Sequence, residues 1–222
     1  MSMARLLYSL LLYLAAPVLL LRLLWRGRRQ RGYLHHVAER FGFYPDTGRH
    51  RYIWVHAVSV GETRAVEPLI RALQAHYPQH RILLTHMTPT GRETGVGLFG
   101  DTVTRCYLPY DYPGATKRFL AHYQPEAGLF IETEVWPNLI AAGGALGIPL
   151  HLINARLSER SLRGYRRVGA LACDALRGFS LIAAQTEADA LRLQALQATR
   201  VVVTGNLKFD VDPPVAQVAQ GL

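Results

Sequence analysis

From Tyr52 onward the chain alternates short apolar runs with amphipathic ones, and this alternation limits the fold more than any other feature. Seven runs read as strands: YIWVHAV (52–58), RILLTHM (81–87), VTRCYLP (103–109), AGLFIE (127–132), LHLIN (150–154), LIAAQ (181–185) and RVVVTG (200–205). Between them apolar residues recur at helical spacing, roughly over 62–76, 90–99, 112–123, 137–146, 159–178 and 187–197. Strands apolar on both faces need cover on both faces. A helix between each pair supplies that cover and makes neighbouring strands parallel. The expectation is an α/β fold: a Rossmann-like, doubly wound parallel sheet. Pro68 inside the first of these helices predicts a kink or a late start there.

In such a sheet ligands gather beyond the carboxyl ends of the strands. The segments standing there are 59–62, 88–91, 110–111, 132–136, 155–156, 186–187 and 206–210. No G-x-G-x-x-G follows a strand, so a nicotinamide or flavin cofactor has no support. The two cysteines, Cys106 and Cys173, lie far apart in apolar surroundings, which suits reduced thiols. The nine histidines are scattered and none stands in H-E-x-x-H, so no protein-built metal site is expected. His56, His86 and His151 read as half-buried strand residues.

The net charge of +9 is unevenly spread. Residues 1–31 hold six arginines and no acid, while the other 191 carry 19 basic and 16 acidic side chains. The excess therefore belongs to one terminal segment and not to a groove that would take a nucleic acid. That segment contains LLYSLLLYLAAPVLLL (6–21), uncharged, followed by RGRRQR. Basic clusters stay on the cytoplasmic side, so the expectation is a membrane anchor with the rest of the chain cytoplasmic. A cleaved signal carries its charge before the apolar run, the reverse of this order. An in-plane helix is the competing reading, because Pro17 and the short core leave spanning marginal.

Three acids and a lysine stand at the strand ends. Ser59-x-x-Glu62 has the spacing of a capping box, in which each residue satisfies the other's backbone donor. Gly61, beside it, also lets a substrate approach the backbone, so Glu62 reads either as a cap or as a base. Glu132 and Glu134 in FIETEVWPN stand where a buried strand opens into a helix whose first residue is Pro137. They favour the positive end of that helix, or are desolvated acids of unusual proton affinity. Lys208 in TGNLKFD is by itself a surface charge or a site residue. The arginines of NARLSERSLRGYRR (156, 160, 163, 166, 167) coat a helix or grip phosphate.

HAVSVGET, MTPTG, YLPYD, ETEVWPNLI, NARLSERS, AAQTE and VTGNLKFD occur in the order seen in bacterial 3-deoxy-D-manno-oct-2-ulosonic acid (Kdo) transferases of lipopolysaccharide synthesis, and the chain resembles that family along nearly its whole length. The resemblance implies one half of a GT-B glycosyltransferase that moves Kdo from CMP-Kdo to the lipid A precursor (lipid IVA), inverting the anomeric centre without a metal or cofactor of its own. It implies Glu62 as general base, with Glu132 and Lys208 stabilising the transition state. Ser59, Gly61, Thr88, Thr90, Gly91, Asn154 and Arg156 become candidate substrate-binding residues. The expected organisation is an anchor with its basic flank over 1–31, an acceptor-binding domain over 32–212 and the start of a linker over 213–222, with the donor domain missing. The expected place is the cytoplasmic face of the inner membrane, with no nucleic-acid partner. The alternative is a non-catalytic, membrane-anchored module that binds a phosphorylated lipid.

Overall fold

The computed structural model describes residues 2–46 and 48–207. Two helices lead, α1 (Met3–Leu14) and α2 (Ala16–Arg29), followed by 3-10 turns at Arg31–Leu34 and Val37–Phe41. Then β1 (Tyr52–His56), α3 (Val60–Ala65), α4 (Glu67–His76), β2 (Arg81–His86), α5 (Pro89–Phe99), β3 (Val103–Tyr107), α6 (Pro113–Tyr123) and β4 (Ala127–Ile131) alternate. The series continues with α7 (Pro137–Ala145), β5 (Leu150–Ala155), α8 (Glu159–Arg167), α9 (Gly169–Arg177), β6 (Leu181–Ala184), α10 (Glu187–Gln194) and β7 (Val201–Val203). The strands form one seven-stranded sheet in the order β3-β2-β1-β4-β5-β6-β7. Every described pairing is parallel. This is the doubly wound arrangement expected. Its order reverses between β1 and β4, where the chain leaves in opposite directions and opens a crevice.

Strand alternation sends side chains to two cores. Ile53 and Val55 of β1 join Val66, Ile70, Ile82 and Leu84 on one face. Tyr52 and Trp54 join Leu83, Phe119, Phe130 and Leu139 on the other. Gly128 in β4 makes room for this second core. A Cβ there would stand 2.7 Å from Leu150 and 2.8 Å from Trp54, so a side chain would collide with the indole.

Pro68 acts as expected: the 62–76 stretch divides at Val66, and α4 starts afresh with proline in its first turn. The 159–178 stretch also divides, at Val168, which the sequence reading missed. Gly169 has φ +23°, outside the helical range, so the hydrogen-bond ladder stops there.

The anchor needs a correction. The apolar segment is two helices bent by 52° at Ala15, and no single described helix is long and apolar enough to cross a membrane, although the bent pair together has the length and composition. Pro17 supplies the cause, since it has no amide to continue the ladder from α1. The segment is also docked. Ser9 donates to Asn138 Oδ1 at 3.1 Å, Tyr112 donates to Leu12 O at 3.1 Å, and Tyr8 hydrogen bonds to the Asp111 carboxylate. Leu6, Leu7, Leu10, Leu11 and Leu14 on the same helix are exposed.

Candidate active site at the switch point

After β1 the chain turns through Ala57 and Val58 to Ser59, whose extended backbone starts α3. Ser59 Oγ accepts the Glu62 amide at 3.4 Å and donates to Glu62 Oε1 at 2.7 Å. Glu62 Oε2 accepts the Val58 amide at 2.8 Å. The capping box is therefore present, but its glutamate reaches one residue further back than the usual Ser59 amide. A carboxylate has about four lone-pair positions, so these two bonds orient the group without saturating it. Burial raises the proton affinity of Glu62, opposed by the Ser59 and Val58 hydrogen bonds, and the charge of Glu132 raises it further.

Glu132 directly follows β4, the neighbour of β1. Its φ is +61°, a left-handed conformation that few side chains adopt, while its amide still donates to Ile153 O at 3.0 Å. Asn154, in the next strand, is likewise left-handed at φ +54°. Two adjacent strands thus carry non-glycine residues in a strained conformation at or just past their carboxyl ends, at the edge where ligands bind in such sheets.

Glu134 completes an acidic group; the sequence reading raised it as a desolvated acid but gave it no role among the site residues. Its Oε2 accepts the Trp136 indole N–H at 2.9 Å. Burial foremost, then the Glu62 charge, pushes its carboxyl up to about 7; the Trp136 bond opposes this and the Glu132 charge adds to it. Glu134, Trp136, Val58 and Thr88 line a cavity of about 360 Å³ at this end of the sheet. A larger, mostly apolar hollow of about 640 Å³, lined by Leu120, Ala142 and Ile148, lies toward the amino ends of β4 and β5, away from the acids.

The other candidates divide by environment. Thr88 caps α5, accepting the Gly91 amide at 3.1 Å and donating to Val58 O at 2.9 Å, so it ties α5 to the turn that carries Glu62. Gly91 is buried, with room for no side chain: a Cβ would stand 2.9 Å from Val58 O. Gly61 and Thr90 are exposed, and so is Arg156, whose carbonyl accepts the Thr133 hydroxyl. Asn154 is buried, its Oδ1 accepting the Leu207 amide at 3.2 Å and its Nδ2 without a partner among the described residues. Lys208 lies outside the described residues. The arginines at 160, 163, 166 and 167 are exposed on α8.

His56 and His86 are fully buried, not half-buried, because β1 and β2 lie inside the sheet. Burial pushes their imidazoles down to about 3 and about 4, so both are neutral. His56 Nδ1 contacts the Thr85 hydroxyl at 2.9 Å and His86 Nδ1 the Ala57 carbonyl at 2.8 Å. They pin the strands under the site.

A doubly wound parallel domain with carboxyl groups gathered at its switch point defines the class: a Rossmann-like domain with its chemistry at the β1–β4 crevice. Solved structures agree on the fold. The UDP-GlcNAc 2-epimerase of Neisseria meningitidis matches with TM-score 0.54 and 18% identity, over 72% of this chain and 48% of that one. A putative UDP-N-acetylglucosamine 2-epimerase of Listeria monocytogenes matches with TM-score 0.52 and 12% identity, over 72% and 46%.

The chain belongs to the 3-deoxy-D-manno-octulosonic-acid transferase (kdotransferase) family, whose model matches residues 35–211. It is 44% identical to the 3-deoxy-D-manno-octulosonic acid transferase of Bordetella pertussis, over 99% of this chain and 53% of that protein. It is 38% identical to that of Haemophilus influenzae, over 95% and 50%. The chain spans about half the length of the curated relatives it matches.

Proposed function

We propose that this chain is the acceptor-holding half of an inverting glycosyltransferase that moves Kdo from CMP-Kdo to a lipid A precursor at the cytoplasmic face of the inner membrane. The observation that carries the reading is the placement of Glu62 and Glu132 at the ends of two adjacent strands, across the one point where the sheet order reverses.

Inverting transfer is a single displacement. The acceptor hydroxyl oxygen bonds to the anomeric carbon of Kdo as the bond from that carbon to the CMP phosphate breaks, and CMP leaves with the electron pair. The hydroxyl proton goes to Glu62, which its two fixed hydrogen bonds hold ready. Raised proton affinity makes Glu62 a stronger base than an exposed glutamate. The anomeric carbon becomes positively charged as the leaving group departs, and the Glu132 carboxylate stabilises that charge. Lys208 is assigned to the negative charge of the departing phosphate. The donor is bound mainly by the half of the relatives' length that this chain does not span. No metal or cofactor of the protein's own enters the scheme.

The test is transfer itself. The chain is joined to the remaining half of a relative and given CMP-Kdo with tetra-acylated lipid A precursor, and the product is weighed by mass spectrometry. Addition of Kdo units supports the reading. Transfer from another nucleotide sugar but not from CMP-Kdo would overturn it.

A further inference from the structure

Between α2 and the carboxyl ends of β1 and β2, the 360 Å³ cavity that Glu134 borders has a basic floor. Arg40 lies there, 2% exposed. Its Nη1 donates to Met87 O at 3.3 Å, and its guanidinium stacks on the Tyr107 ring at 4.0 Å. Among the described residues Nε and Nη2 have no hydrogen-bond partner. The adjacent Glu39 does not neutralise it: that carboxylate pairs with Arg92 at 3.0 Å and accepts the Tyr107 amide at 2.7 Å. No acid among the described residues pairs with Arg40, and a buried cation without a counter-charge is costly, so retaining it requires compensation from elsewhere.

The cavity wall indicates what compensates it. Arg22 and Arg26 enter from α2, so among the described residues three arginines face a single acid, Glu134. Burial and the neighbouring acids keep that carboxyl partly protonated near neutral pH, which leaves the cavity strongly electropositive. On its outer side α2 exposes Val18, Leu21, Leu24 and Trp25. One helix therefore presents guanidinium groups to a cavity and an apolar strip beside it, and the matching ligand has an anionic head and an apolar tail.

We propose that this cavity is a binding site for a phosphate monoester carried on an amphiphile, with Arg22 and Arg26 gripping the phosphate and Arg40 supplying the charge beneath it. A monoester carries nearly two negative charges and three acceptor oxygens, enough for forked contacts from more than one arginine. A carboxylate has one charge for three guanidiniums. The proposal deepens the acceptor reading and rests on it for the ligand being a lipid. The site is built wholly from described residues of this chain and needs neither donor nor Glu62.

The test is calorimetry on the full chain with three probes: dihexanoyl phosphatidic acid below its micelle concentration, dihexanoyl phosphatidylcholine at the same concentration, and inorganic phosphate. Phosphatidic acid is expected to bind roughly tenfold or more tighter than either, since hydrogen bonds to charged groups contribute at that scale. Arg22→Gln and Arg26→Gln should each cost about tenfold, whereas Arg28→Gln, on α2 but outside the cavity lining, should cost less than about twofold. Arg40→Gln, checked for an unchanged circular dichroism spectrum, should match the α2 variants; if it does not fold, the α2 variants carry the test. Equal binding of the two lipids, phosphate binding as tightly as phosphatidic acid, or Arg28→Gln costing as much as Arg26→Gln would each overturn the proposal. A failure here leaves the transfer assay untouched, and a failed transfer assay leaves this binding result standing.

Discussion

Ser59 and Glu62 hold each other at the end of β1: the serine hydroxyl donates to the carboxylate at 2.7 Å and accepts the glutamate amide at 3.4 Å. A helix cap and a proposed catalytic base are thus one group in one position. The cap fixes the rotamer, so no conformational freedom has to be lost when the base meets its substrate. The two roles respond differently to substitution, which makes them separable.

Ser59→Ala removes the cap and is expected to cost about 1 kcal/mol of stability. It also removes a hydrogen bond that holds the proton affinity of Glu62 down. The base must be deprotonated to work, so the acid limb of the pH–rate profile should move to higher pH. Urea unfolding and a pH series on the transfer assay read the two effects separately.

Trp136→Phe deletes the indole donor to Glu134. That bond opposes the rise of the Glu134 carboxyl to about 7, so its loss should carry the midpoint higher. Carbon-13 NMR titration of labelled glutamate checks this. A midpoint that stays or falls would contradict the assigned causes.

Asp111 accepts the Asn138 and Leu139 amides at 2.9 and 2.8 Å, at the start of α7, and hydrogen bonds to Tyr8 of α1. Burial nevertheless raises its carboxyl from 3.8 to about 6. The folded state then binds more protons than the unfolded state between those values, so this contribution to stability falls as pH rises through the window and is level above it. Measured against Asp111→Asn, the wild-type advantage in melting temperature should be largest near pH 4 and shrink to a constant above pH 6.

Gly91→Ala would place a methyl 2.9 Å from the Val58 carbonyl and from Thr88 Oγ1. Backbone cannot yield there cheaply, and overpacking of this kind costs about 1–3 kcal/mol. The Val58 amide also holds Glu62, so transfer should fall along with the unfolding midpoint.

What the sequence disclosed were the features set by local pattern. Strand and helix alternation placed all seven strands within about two residues of their ends, because buried parallel strands need continuous apolar runs. Pro68 marked the α3–α4 break because a missing amide acts within one turn. The Ser59–Glu62 pairing followed from spacing alone. The rest depends on distant partners. Ser9 in a leucine-rich run gave no sign of Asn138, 129 residues away, so the docking of α1 was not legible. Arg40 looked like an ordinary charge in ERFG, and its burial arises only when Met87 and Tyr107 close over it. The left-handed Glu132 is likewise fixed by its tie to Ile153 on the next strand.

Glu62→Gln decides the central claim. The amide keeps nearly the same shape and can still accept the Val58 amide, but it takes no proton from an attacking hydroxyl. Joined to the remaining half of a relative, the variant should lose about 10²–10⁴-fold in kcat while its melting temperature shows a loss of no more than about 1 kcal/mol. Near-normal turnover with a clearly lowered melting temperature would show that Glu62 is a cap alone.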